Sequence, residues 1–162
     1  MPGRFSVHMI GTFRVHRDKQ PVALPPSCQR VIALAALAGR PVHRAWACSQ
    51  LWPDIPSSSA SARLRTTLWR LRPLGADGLF FVDAQTVSLA PDVHVDWRRA
   101  VELCNAVLDA DPASAPPDAA VIDELLPILR RGALLDGWTD HWHAGERSSY
   151  HGMRVSALGM LA

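Results

Sequence analysis

Hydrophobic and polar residues alternate at the beginning of the chain, which is the pattern of a β-strand with one buried face. The alternation runs over residues 5–10, is interrupted at Gly11, and resumes over residues 13–16. Residues 22–24, Val-Ala-Leu, are long enough for a short third strand. We therefore predict an antiparallel sheet at the amino terminus.

The hydrophobic pattern then changes to one that favours helices. The apolar run over residues 31–38 predicts a helix that begins near Ser27, a candidate N-cap, and ends at Gly39. A second helix is expected to end before Pro53, because proline disfavours the helical conformation in the residue that precedes it. Two short helices thus follow the predicted sheet.

A third helix, predicted over residues 61–72, carries two contrasting faces. Leu64, Leu68 and Leu71 are spaced as i, i+4 and i+7 and form one stripe that faces a core. The other face combines cations, a hydroxyl and an indole, on Arg63, Arg65, Thr66, Trp69, Arg70 and Arg72. A large aromatic side chain among cations favours a binding partner over a solvated surface, which is the alternative interpretation.

A hairpin is predicted directly after this helix, with strands over residues 79–82 and 86–89. From Pro91 the composition changes, and amphipathic stretches over residues 95–107 and 119–131 precede a last helix that runs to the end. The predicted fold class is therefore α+β. It is a winged helix-turn-helix with an N-terminal antiparallel sheet and a C-terminal hairpin wing, followed by an all-α domain.

The 162 residues are 48% hydrophobic and 20% charged, a composition typical of a chain that buries a core. No apolar run reaches the roughly 20 residues of a membrane-spanning helix, and the amino terminus lacks a signal-peptide core, so we expect a cytoplasmic protein. Residues 1–92 carry eleven Lys and Arg against five Asp and Glu, a net charge of +6, whereas residues 93–162 carry six against ten, a net charge of −4. A basic first half indicates a polyanionic partner.

The residue types that carry catalysis or bind metals do not form a recognisable pattern. Cys28, Cys48 and Cys104 are widely spaced, and we interpret them as buried structural thiols. His141 and His143 are two residues apart and would point to different sides of a helix, so we expect no metal site. No Gly-rich phosphate loop or nucleophile motif is present. We therefore expect neither an enzyme nor a bound cofactor.

Two segments of the sequence resemble a known family. Residues 51–54, Leu-Trp-Pro-Asp, and residues 62–72 are similar to the DNA-binding domain of the Streptomyces antibiotic regulatory proteins, whose winged helix is OmpR-like. In that family the wing is followed by a bacterial transcriptional activation domain of paired helices that resemble tetratricopeptide repeats. Matches to a segment of that domain are found at Gly137, Trp138, Trp142, Glu146 and Arg147.

The resemblance implies an OmpR-like DNA-binding domain over residues 1–92 and part of a helical, tetratricopeptide-like activation domain over residues 93–162. It implies a nucleoid-associated activator that binds direct repeats of double-stranded DNA in promoters and contacts RNA polymerase. The family's activation domain normally continues for several helices past residue 162, so one alternative is a competitor that binds DNA without activating. Another is a protein-interaction module whose basic helix docks an acidic partner.

A homodimer is a further expectation, because a shortened helical array leaves apolar side chains uncovered. The side chains concerned lie near the end of the chain and are Val155, Leu158, Met160 and Leu161. Association through this end would bury them. The expected partners are thus DNA, RNA polymerase and a second copy of the chain, with no membrane.

The residues expected to meet DNA lie on the third helix and the wing: Arg63, Arg65, Thr66, Thr67, Trp69, Arg70, Arg72, Gln85 and Thr86. By position, Arg65, Thr66 and Trp69 are the candidates for contacting base edges in the major groove. The resemblance implies that Arg70 and Arg72 hold phosphates and that Arg63 fits either role. It also implies that the wing tip approaches the minor groove or backbone. Packing of Trp69 against the wing is an alternative, and both threonines could be plain helix-surface residues.

Overall fold

The computed structural model describes residues 4–111, 113 and 116–161. The chain forms two compact units. The first comprises residues 4–7, Arg14–His94 and Asp140–His143, and the second comprises His8–Phe13, the described part of Val95–Thr139, and residues 144–161. The domain boundary predicted after residue 92 stays a prediction.

Seven strands and six α-helices are found in the described part of the chain. The strands are β1 (Phe5–His8), β2 (Arg14–Arg17), β3 (Gln20–Pro21), β4 (Val42–His43), β5 (Phe80–Val82), β6 (Thr86–Leu89) and β7 (His94–Val95). The helices are α1 (Pro26–Ala38), α2 (Arg44–Leu51), α3 (Ser57–Arg70), α4 (Asp96–Leu108), α5 (Ala119–Leu129) and α6 (Ala144–Leu161). One sheet has the order β3-β2-β1-β7 and the other the order β4-β6-β5. The predicted α+β class, with a winged helix-turn-helix followed by helices, is confirmed.

Helix α1 begins at a proline and ends at a glycine. Pro26 lies in the first turn, where a missing N–H costs no intrahelical hydrogen bond. Gly39 adopts a left-handed φ of 65°, and its N–H donates to the Ala35 carbonyl at 3.1 Å. The predicted cap at Ser27 is wrong, because the residue before the helix is Pro25 and no side chain caps this end.

The third strand lies earlier than its hydrophobic residues predict. It is β3, residues 20 and 21, rather than residues 22–24, and it pairs antiparallel with β2. Asp18 and Lys19 have φ values of 49° and 69°, so they form a two-residue turn with both residues left-handed. This tight turn places Gln20 opposite Arg17 and so sets the register between β2 and β3. Strand β3 therefore begins at the first residue after the turn.

Helix α3 begins four residues before its predicted start and ends two before its predicted end. Pro56 precedes the first helical residue, and the serines that follow it form the first turn rather than a loop. The predicted leucine stripe is confirmed, since Leu64 and Leu71 are buried and Leu68 is partly buried. The core-facing side of the helix was thus correctly placed even though its ends were not.

All three cysteines are buried and free, as predicted. Burial raises the pKa of each thiol, which keeps it protonated at neutral pH. They act as small apolar side chains within their units.

In the second unit, a buried carboxylate ties the segment before β2 to the start of α4. Asp96 accepts hydrogen bonds from the backbone N–H groups of Met9 at 2.7 Å and Ile10 at 3.3 Å. Arg131 lies 3.6 Å from the same carboxylate. Burial raises the pKa of Asp96, while these hydrogen bonds and the arginine oppose that shift.

Helices α4, α5 and α6 pack on one another in this unit. Leu103, Leu125, Leu129 and Tyr150 are among the buried side chains of their common core. On α6, two of the four apolar residues expected to be uncovered are exposed, Val155 at 54% and Met160 at 53%, and the other two are partly buried. Within the described residues, every helix is too short or too polar to cross a membrane.

Candidate nucleic-acid interface

Helix α3 is held against α1 and α2 of the first unit by its leucine stripe. Leu64 is fully buried and Leu71 is 2% exposed. A further link to α1 is the Cys28 thiol, whose sulfur lies 3.6 Å from the Thr67 carbonyl oxygen. These contacts fix the rotation of α3 about its own axis, and therefore decide which side chains face outward.

Thr67 does not belong to the outward face. Its side chain is 2% exposed, and its hydroxyl donates to the Arg63 carbonyl at 2.8 Å, one turn earlier. A hydroxyl that is buried and already bonded within the helix is not available to DNA. Thr67 adjoins the leucine stripe on the helical projection, so its predicted role conflicts with the observed rotation of the helix.

The outward face has an aromatic centre and cationic flanks. At 100° per residue, Thr66 and Trp69 lie opposite the leucine stripe, and Trp69 is 64% exposed. Residues seven positions apart share one side of a helix. Arg63 and Arg70 accordingly share one flank. Arg72, in the turn directly after α3, lies on the flank of Arg65, since both line the same cleft, and all four arginines are exposed.

Two of these arginines lie over indole rings. The Arg63 guanidinium carbon is 5.8 Å from the ring centroid of Trp52, and that of Arg72 is 5.1 Å from the ring centroid of Trp69. Such cation–π contacts restrict the long side chains while leaving their N–H donors available. The two flanks therefore present partly ordered cations, which lowers the entropy lost when an anion binds.

The β5–β6 hairpin forms the wing beside α3, and its tip is closed by an aspartate. Asp83 Oδ1 accepts hydrogen bonds from the N–H groups of Gln85 at 2.7 Å and Thr86 at 2.6 Å. Asp83 Oδ2 accepts one from the Thr86 hydroxyl at 3.0 Å. Of the two predicted wing contacts, Gln85 is exposed, whereas Thr86 is partly buried and its hydroxyl is engaged within the turn.

Arg44, the first residue of α2, joins the wing tip to the helices. Its backbone N–H donates to the Gln85 carbonyl at 2.8 Å, and its guanidinium donates to the Asp83 carbonyl at 3.2 Å. Strand β4, directly before it, pairs with β6 through Val42 and Val87. The wing is therefore attached to the start of α2.

An open cleft of about 470 Å³ lies between α3 and β5. Its lining brings together Arg44, Arg65, Leu68, Trp69, Leu71, Arg72, Asp77, Phe80, Phe81 and Val82. Three arginines thus share one concave surface with a single acid. Because three guanidinium groups outnumber the one carboxylate, the surface is cationic and suited to an anionic partner.

Arg44 and Phe81 were not predicted as site residues. Arg44 lies thirteen positions before the start of α3 and reaches the cleft because β4, directly before it, pairs with β6. Phe81 belongs to an apolar run, Leu-Phe-Phe-Val, in which the sequence pattern does not say which ring is buried. The structure buries Phe80 and leaves Phe81 62% exposed.

Removal of the wing-tip carboxylate is expected to loosen this turn. In Asp83→Ala, amide hydrogen exchange at Gln85 and Thr86 should become faster, whereas Asp83→Asn, which keeps one acceptor oxygen, should give an intermediate rate. Unchanged exchange in Asp83→Ala would show that the strand pairing alone holds the tip.

The same turn should respond to acid. Hydrogen bonds from Thr86 and Gln85 lower the pKa of Asp83 below its usual value of 3.8. A lowered folded-state pKa stabilises the turn above the unfolded value and loses that effect as the pH falls through the folded value. Exchange at the two amides, corrected for intrinsic pH dependence, should therefore be constant from pH 7 to about 5 and rise relative to random coil below about 4.

Comparison with protein-family models gives no match, and comparison with curated proteins gives none. A solved structure of Mycobacterium tuberculosis EmbR, in complex with a low-affinity phosphopeptide, is similar in fold, with a TM-score of 0.70 and 22% sequence identity. The match covers 96% of this chain and 44% of the EmbR chain, so this chain spans less than half of EmbR. At 22% identity the similarity shows a shared fold and nothing more. It covers almost the whole chain, including the helices of the second unit.

Proposed function

We propose that this chain is a sequence-specific regulator of transcription that binds double-stranded DNA. Helix α3 enters the major groove together with the cleft-facing side of β5, and the tip of the wing contacts the adjacent backbone or minor groove. The observation that carries the proposal is the outward face of α3, where an exposed aromatic centre lies between two pairs of arginines. A binding role accounts for these residues without any catalytic group.

The arrangement of side chains on this face suits a duplex. The major groove, roughly 12 Å wide, admits one α-helix, and its walls are two rows of phosphates. Arginines on both flanks of a groove-filling helix are positioned to meet both rows, while side chains at its centre approach base edges. Arg65 is the arginine nearest to the central Trp69 on the helical projection and is the candidate for a bidentate contact with guanine. Arg72 and Arg70 are the candidates for phosphate contacts.

The finer parts of the proposal rest on the family resemblance. The segments at residues 51–54 and 62–72 support membership of the Streptomyces antibiotic regulatory proteins, and the likeness to EmbR supports the fold that such membership requires. On this basis the chain acts at the nucleoid, binds direct repeats as a dimer, and contacts RNA polymerase through α4–α6. Activation depends on that last contact, whereas DNA binding does not.

Selection of bound duplexes from random DNA tests DNA binding and supplies the operator. We expect one sequence motif to be enriched and the logarithm of its binding constant to fall linearly with the logarithm of the salt concentration. Each phosphate contact contributes a slope of roughly −0.9, so phosphate contacts from Arg63, Arg70 and Arg72 give a slope of about −2 to −3. Fluorescence anisotropy titrations of the labelled operator at several salt concentrations measure this slope. Failure to enrich any motif, or a slope near zero, would refute the proposal.

A further inference from the structure

An apolar surface lies among the arginines of the candidate interface. Trp69 is 64% exposed, Phe81 is 62% exposed and Val82 is 46% exposed. All three side chains line the cleft that also contains Arg65 and Arg72. Exposed aromatic side chains grouped in this way are uncommon on a protein surface and indicate a contact with another molecule.

These aromatic rings do not support the fold. Trp69 lies opposite the leucine stripe of α3, and Phe81 lies on the open face of β5, opposite Phe80, which is 8% exposed. The Arg72 guanidinium, 5.1 Å from the centroid of the Trp69 ring, restricts the indole within the cleft. The chain thus holds two apolar side chains outward, at positions where polar residues would leave the core unchanged.

We propose that Trp69 and Phe81 contact the 5-methyl groups of thymine in the operator and so select thymine at defined positions. This inference rests on the proposed function. The arginines of the cleft favour a polyanion, and thymine is the one base of a DNA duplex that presents an apolar group in the major groove. The cleft therefore combines cations for the DNA backbone with a hydrophobic wall for that methyl group.

The size of the effect follows from the burial of a methyl group. Removing one buried methyl weakens binding roughly fourfold, and two such contacts weaken it roughly 15-fold if they act independently. Bases that lack a methyl are disfavoured at these positions even when their hydrogen-bonding groups are the same. Specificity from the wall therefore adds to that from Arg65.

Deoxyuridine provides the direct test, because it differs from thymidine only by the missing methyl group. The selected operator is prepared with thymines replaced by deoxyuridine, one position at a time, and the affinity of the full chain is measured by anisotropy. At one or two positions the wild-type chain should lose roughly fourfold in affinity. Replacement there by 5-bromodeoxyuridine, whose bromine occupies the space of the methyl, should restore it.

Protein variants show whether the effect comes from these two rings. Trp69→Ala and Phe81→Ala should bind the thymine operator more weakly and should no longer distinguish thymine from deoxyuridine at one position each. Leu74→Ala is the matched control, because Leu74 is 41% exposed but does not line the cleft. It should retain the full dependence on the methyl group. Thermal unfolding should be similar for all three variants.

The outcomes separate this inference from the proposed function. If no duplex is bound, the proposed function itself fails. If the operator is bound with steep salt dependence but every methyl can be removed without effect, only the contact with thymine is refuted. If, in addition, Trp69→Ala and Phe81→Ala change the sedimentation of the free protein, the wall is a protein–protein contact, which equally overturns the inference.

Discussion

Replacement of Arg65 by alanine is expected to weaken binding of the selected operator about 10- to 100-fold, the range for one lost bidentate contact to a base. Arg65 is exposed on the outward face of α3 and lines the cleft beside the wing. Its removal leaves the leucine stripe intact, so the thermal unfolding of the protein should be nearly unchanged. Anisotropy titrations with the operator and with its single-base variants measure the loss.

The pattern of the loss identifies the kind of contact. If Arg65 contacts a base, the Arg65→Ala variant should lose discrimination at one base pair while keeping it elsewhere. Arg14→Ala is a suitable control, because it removes the same charge from an exposed position on β2, outside α3 and the wing. Equal losses in the two variants would mean that net charge, rather than the face of α3, accounts for the affinity.

The face of α3 was predictable because helical periodicity is strong over this segment. Leu64, Leu68 and Leu71 define the buried side, and the arginines then have to lie on the flanks and the outward side. The burial of Thr67 could not be predicted from periodicity alone. This residue lies at the edge of the stripe, where a rotation of a few tens of degrees decides between burial and exposure, and packing against α1 settled the question.

The remainder of the cleft depends on contacts that are distant in sequence. Arg44 enters it because β4 pairs with β6, and that pairing joins residues more than forty positions apart. Phe81 enters it because Phe80 faces inward, a choice between two adjacent rings that the apolar run leaves open. The early start of α3 depends on the serines after Pro56, which suit a first helical turn as well as a loop.

The aromatic and cationic side chains of α3 can meet DNA only if the opposite side of the helix holds it against the first unit. Leu64 is the most deeply buried leucine of that side. Its side chain is fully buried in the first unit, between α3 and the two helices against which α3 packs. Replacement by alanine removes its contacts and leaves a cavity. The expected loss of unfolding free energy is about 2–5 kcal/mol.

Because Leu64 belongs to the first of two compact units, the measurement has to report that unit alone. Native-state hydrogen exchange of the α1 amides does so, and exchange there should become roughly 30- to 5,000-fold faster in Leu64→Ala. Leu74→Ala is the control, since Leu74 is 41% exposed and its truncation should change the free energy of unfolding by no more than about 0.5 kcal/mol.

Arg65→Ala and Leu64→Ala should differ in their effects on DNA affinity and on hydrogen exchange in α1. Arg65→Ala lowers affinity for DNA without changing exchange in α1, whereas Leu64→Ala accelerates that exchange and lowers affinity only through the population in which α3 is no longer held. Normal α1 exchange in Leu64→Ala would show that the leucine stripe does not anchor α3.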